Sequence, residues 1–158
     1  MRSLIKKILI ALGIAVVVIQ FFPSARNVST AAPGPNDITV MYPTSPEVKA
    51  ILAESCNDCH SDNTRYPWYT RIQPVGWWMQ NHVNEGIDEL NFSQFGTYPA
   101  KRARHKLEET IKETKGREMP LTSYLITHRE AKLTELQVQQ VVDWAEGIHA
   151  RIPAPAAP

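Results

Sequence analysis

The stretch Ser45-Pro46-Glu47-Val48-Lys49-Ala50-Ile51-Leu52-Ala53-Glu54-Ser55-Cys56-Asn57-Asp58-Cys59-His60 holds a helix start, a helix body and a chemical motif in succession. Ser45 is an N-cap residue, Pro46 belongs in a first helical turn, and Glu47 is an early acid. Val48, Ile51 and Leu52 then share one face at helical spacing. This helix should end near Cys56. Three further stretches obey the same rules. One follows Pro74, carries Val75, Met79 and Val83, and reaches Gly86. Another follows Pro99, carries Ala103, Leu107 and Ile111, and stops at Gly116. In the last, Thr134 and Gln137 form a capping box, Leu133 can staple onto Val138, and Val138, Val141, Val142, Ala145 and Ile148 make one apolar stripe. No segment alternates apolar and polar residues with a period of two. The expected fold is all-α.

Cys56-Asn57-Asp58-Cys59-His60 reads C-x-x-C-H, the attachment pattern of c-type haem. Two thiols one helical turn apart can each join a haem vinyl group as a thioether, and a histidine directly after the second is then held under the iron as proximal ligand. A redox dithiol wants a strand before the motif, whereas a helix leads into this one. A zinc site needs four ligands and no second Cys pair exists, although His82 would complete a Cys2His2 set. A disulfide across two intervening residues is sterically poor. The expected cofactor is therefore one covalent haem c, bound by Cys56, Cys59 and His60.

A sixth ligand suits iron that exchanges electrons with little rearrangement. Met1 and Met41 are poorly placed, and Met79 sits in an amphipathic helix where a core methionine is the ordinary explanation. Met119 lies in Gly116-Arg117-Glu118-Met119-Pro120, between the third and fourth helices, where Pro120 restrains the backbone. It is the leading distal candidate, His82 is its rival, and a vacant position is the third option. The expected iron ligands are His60 and Met119.

The flanks frame this domain. Ile8 to Ile19 is apolar apart from one glycine and is preceded by Arg2, Lys6 and Lys7; Leu4 to Phe22 as helix would cover roughly 28 Å. Residues 1–25 read as an N-terminal transmembrane helix with its start in the cytoplasm, or as a removed signal peptide. Residues 26–41 read as a flexible linker, 42–151 as the domain, and 152–158 as an Ala/Pro tail with no core to join. The 158 residues suit one such domain. With 17 basic against 16 acidic residues, bulk charge excludes a polyanion binder, so no nucleic-acid partner is expected.

Beyond the motif, the run continues Ser61-Asp62-Asn63-Thr64-Arg65-Tyr66-Pro67-Trp68-Tyr69. It is followed by Ile72-Gln73-Pro74-Val75, Trp77-Trp78, His82-Val83-Asn84-Glu85-Gly86 and Leu90-Asn91-Phe92-Ser93. Glu118-Met119-Pro120-Leu121, Tyr124 and Asp143-Trp144 complete a pattern that resembles the haem-binding domain of small bacterial membrane-anchored cytochromes. The resemblance covers roughly residues 42 to 150. It implies a cytochrome c-like helical fold wrapped around one haem, and exposure to the periplasm. It names no partner.

The combined expectation is a membrane-tethered monohaem cytochrome of the bacterial inner membrane. Its domain would lie in the periplasm and relay single electrons to a redox partner protein. A haem-based peroxidase or gas sensor with a displaceable distal ligand is the alternative, and a haem-bearing module that orders a partner complex is a third. Tyr66, Trp68, Tyr69, Trp77, Trp78 and Tyr124 are candidates for packing on the macrocycle or binding its propionates, with Arg65 and Arg71 beside them. Lys101, Arg102, Arg104 and Lys106 form a basic patch suited either to an acidic partner or to solvent. His105, His128 and His149 are expected to be exposed.

Overall fold

The structure is a computed structural model that describes residues 1–154. Eight α-helices and three short 3₁₀ turns account for its regular elements, and no strand occurs among the described residues. The four long helices of the domain lie where caps and periodicity put them: α3 (Pro46–Ser55), α5 (Val75–Glu89), α6 (Ala100–Lys115) and α8 (Glu135–His149). Ser45 Oγ accepts from the Val48 N–H at 3.3 Å, and both halves of the Thr134–Gln137 capping box form. The remaining helices are the N-terminal α1 (Arg2–Ile19) and three single turns: α2 (Ile38–Met41), α4 (Asn57–His60) and α7 (Thr122–Leu125).

α6 and α8 make the most extensive helix pair, and α3 closes their open side. Leu52, Leu107, Val141 and Val142 meet there almost fully buried, with Phe92 and Phe95 from the loop after α5. Burying each such side chain contributes roughly 1.5–3 kcal/mol, so this seam is the main source of stability. α5 packs on α4, which brings the second long helix against the Cys-Cys-His turn.

The N-terminus departs from expectation. α1 buries none of its residues, and no helix among the described residues is long and apolar enough to cross a membrane. Arg2, Lys6 and Lys7 lie inside α1, leaving Ile8–Ile19 as its apolar part, roughly 18 Å against about 30 Å of hydrocarbon. Phe21 and Phe22 do not extend it. Gln20 ends the helix instead, its side chain donating to Gln73 O at 3.1 Å and accepting from Gln73 N–H at 2.9 Å. The transmembrane helix is thereby overturned, and with it the single-pass inner-membrane placement.

Residues 26–41, expected as a flexible linker, run along the domain. Asn27 Nδ2 donates to Ser61 O and Thr64 Oγ1, the Asn27 N–H donates to Tyr66 Oη, and Ile38 is fully buried. At the other end Ile152, expected in a tail with no core to join, is buried beside α8, with its carbonyl accepting from Arg104 at 2.8 Å. The last part of that tail, residues 155–158, lies outside the described residues.

Candidate haem site

Cys56 is at once the C-cap of α3 and the N-cap of α4, with φ −128° and ψ −44° breaking the helix between them. Its carbonyl accepts from the amides of Cys59 at 3.2 Å and His60 at 3.0 Å, which winds the motif into one tight turn. Both thiols are free and half-buried. Burial, reinforced by the neighbouring Cys59, pushes the Cys56 thiol up to about 12; burial and then Asp58 push Cys59 up to about 11. Redox-active dithiols need a depressed pKa, so this pair is poorly suited to thiol–disulfide exchange.

His60 is held by the end of α5. Its Nδ1 lies 2.9 Å from both Gly86 O, which also accepts the Leu90 N–H in the last turn of the helix, and Leu90 O, just beyond the helix end. Two carbonyl acceptors require the proton on Nδ1, which leaves a lone pair on Nε2. Burial keeps the ring below its ordinary pKa, the two backbone hydrogen bonds offsetting only part of that shift. A neutral imidazole oriented by its other nitrogen is what a metal-ligating histidine needs. This closeness depends on Gly86, where a Cβ would lie 2.4 Å from Cys59 O and 2.9 Å from Cys59 Cβ.

Met119 arrives from the far end of the domain. α6 stops at Gly116, and Arg117 takes the left-handed conformation at φ 61°. Glu118 N–H then donates to Glu113 O and Arg117 N–H to Thr114 O, the pair of bonds that defines a Schellman ending. The Arg117 guanidinium donates to Leu133 O at 2.6 Å and to Glu135, stabilising a conformation that usually favours glycine. The reversal delivers Met119 to the motif. Two cavities of about 230 and 270 Å³ share Cys56, His60, Glu89 and Met119 in their walls. Leu52, Leu90, Phe92 and Val141 line the first; Cys59, His82 and Tyr124 border the second. Together they reach the size range of small cofactor sites.

Most other candidates fall away from this cleft or take structural partners. His82 does border the second cavity; its Nδ1 lies 2.9 Å from Trp78 O and its ring packs on Trp78, which leaves Nε2 open as at His60 and keeps it the rival of Met119. Met79 borders neither cavity. Of the six tyrosines and tryptophans singled out in sequence, only Tyr124 reaches the cleft. Arg65 binds Asp58 and Glu54, and Arg71 lies outside the cavities. In the basic patch, Arg104 donates to His149 O and Ile152 O, and Lys106 lies 2.7 Å from both Glu89 and Glu109. His128 is half-buried against Tyr124 rather than exposed, their rings stacked at 4.2 Å. Sequence reading missed Asp58 and Gly86 as parts of the site. Asp58 had one available signal, its position inside the motif.

A helical domain with two free thiols on one turn, a neutral histidine beside them, a thioether across the cleft and apolar walls is fitted to hold haem. This agrees with the comparison to known families: the family model described as haem-binding domain matches residues 14–147. The chain belongs to that haem-binding domain family. No curated protein and no solved structure matches it.

Proposed function

We propose that the chain is a c-type cytochrome that carries one covalently attached haem and transfers single electrons to and from a redox partner protein. In this reading Cys56 and Cys59 would hold the haem covalently, each thiol adding across one vinyl group with its sulfur on one carbon and its hydrogen on the other. His60, through Nε2, and Met119, through its thioether sulfur, would hold the iron. The bound haem supplies a one-electron iron couple, and Met/His ligation would raise its potential. Among the chain's own groups, Gly86 O and Leu90 O orient His60, while the apolar walls keep water from the iron and limit reorganisation. The observation that carries the reading is the His60 ring, held by two carbonyls with its other nitrogen free beside a pair of thiols.

An absorption spectrum of both redox states, with a pyridine haemochrome assay, tests the attachment. Two thioether bonds give the haemochrome of a c-type haem; free thiols and no adduct by mass spectrometry sink the proposal. A reversible one-electron wave with slow carbon monoxide binding by the ferrous form is the expected behaviour.

The haem-based peroxidase or gas sensor also draws support from one observation. Met119 sits on a loop and is 37% exposed, so its hold on the distal position is not enforced by burial. Peroxide turnover well above that of free haem, or prompt carbon monoxide binding by the unaltered protein, would favour that reading.

A further inference from the structure

Asp58 occupies the second x of the C-x-x-C-H turn, and its side chain is turned inward, with the residue only 6% exposed. A carboxylate buried this deeply costs stability unless its oxygens are filled. Here they are. Oδ1 accepts from Arg65 N–H at 3.0 Å and Nε at 3.1 Å; Oδ2 accepts from an Arg65 terminal nitrogen at 3.3 Å and from Tyr124 Oη at 2.8 Å. Three of these bonds come from a residue close in sequence. The fourth spans the cleft, because Tyr124 lies on α7, one turn after Met119-Pro120-Leu121. The amides of Tyr124 and Leu125 both donate to Leu121 O, which ties α7 to that loop. The opposite face of the Tyr124 ring lies on His128, whose imidazole is bonded to Tyr69 Oη at 2.8 Å.

We infer that Asp58 and Tyr124 form a latch that holds the Met119 segment shut against the haem-attachment turn, so that Tyr124 is a positioning residue for the distal ligand. The inference rests on the proposed His60/Met119 ligation. Tyr124 is suited to the task as a committed donor: burial and the bond to Asp58 both hold its hydroxyl well above the ordinary tyrosine range. A hydrogen bond from a neutral hydroxyl to a buried carboxylate is among the stronger kinds in proteins. Tyr69 Oη ties the chain after α7 through Thr127 Oγ1 at 3.0 Å and His128, but Leu121 is about a third exposed and Ile126 72% exposed, so the bond to Asp58 is the one from this segment to the attachment turn.

Tyr124→Phe in the haem-loaded protein cuts this one link. Asp58 keeps its three bonds from Arg65, so the attachment turn and the covalent haem should survive, as haem staining of a denaturing gel would show. The expected result is a weakened far-red iron–sulfur band in the ferric protein and carbon monoxide association with the ferrous protein at least about tenfold faster. Amides of residues 119–125 should exchange hydrogen faster in the same variant. Tyr66→Phe is the control, since it removes a hydroxyl that donates to Gln80 Oε1 at 2.7 Å away from the cleft. Asp58→Asn, which keeps the shape but weakens the acceptor, should give an intermediate effect.

Unchanged exchange and carbon monoxide rates in Tyr124→Phe would overturn the latch while leaving the electron-transfer reading intact. If the unaltered protein lacks the band but exchange at 119–125 still rises in the variant, the latch stands and Met119 ligation is what fails.

Discussion

The two walls of the cleft are built differently. The proximal wall, α4, is one turn wedged between α3 and α5, with the Cys56 carbonyl bonded twice and His60 held by two carbonyls. The distal wall, residues 117–125, is a helix ending, a loop and a single turn, crossed by one hydrogen bond to Asp58. One side is over-determined and the other is held by few contacts. With haem bound as proposed, such a site would keep its attachment and proximal geometry constant while its distal side could be tuned by single residues.

The largest expected effect strikes the proximal wall. Cys59→Ala should reduce covalent haem to one thioether and cut the yield of haem-loaded protein severely, read by mass spectrometry and the haemochrome spectrum. Met119→Ala should next abolish the ferric far-red band and open the iron to carbon monoxide, whereas His82→Ala leaves both unchanged. A ferric protein without the band, in which His82→Ala and not Met119→Ala opens the iron to carbon monoxide, would reverse the ligand assignment.

Gly86→Ala probes how rigidly the proximal wall is packed. The added methyl meets the backbone and Cβ of Cys59, neither of which can rotate away. Overpacking of this kind costs about 1–3 kcal/mol, or roughly 2–4 °C in Tm for each kcal/mol in a chain of this size. Gly147→Ala is its counterpart, since a Cβ there meets nothing within 4 Å. It should stabilise α8 by up to about 1 kcal/mol through helix propensity. Equal effects from the two variants would mean that the close approach of α5 to the motif does not occur.

The smallest effect belongs to the turn that feeds the distal wall. Arg117→Ala loses the bonds to Leu133 O and Glu135 and still carries a side chain at φ 61°. Arg117→Gly loses the same bonds but relieves the left-handed conformation, so denaturant titration should find it about 1 kcal/mol more stable than the alanine variant.

Much of the helical framework was legible because its signals are local. Ser45, Thr134 and Gln137 satisfy helix-start amides with their own side chains, and the apolar residues of α3, α6 and α8 repeat at helical spacing. The short turns α2, α4 and α7 leave no such trace, being too brief to show a period. The N-terminal run misled because apolar composition does not set where a helix begins and ends. α1 incorporates its three basic residues at one end, and Gln20 bonds to Gln73 at the other.

The proposed haem attachment rests on five consecutive residues, because two thiols and an imidazole one turn apart need only a local geometry. Met119 could be nominated by its setting but not brought to His60, which lies on a distant part of the chain. That approach depends on α6 packing against α8 and on the left-handed turn at Arg117. The same holds for Gly86 beside Cys59 and for Tyr124 against Asp58: both are contacts between elements far apart in sequence. Caps, periodicity and the spacing of cysteines act within a turn or two, so sequence alone specifies them. Which wall faces the motif is decided only when the helices pack.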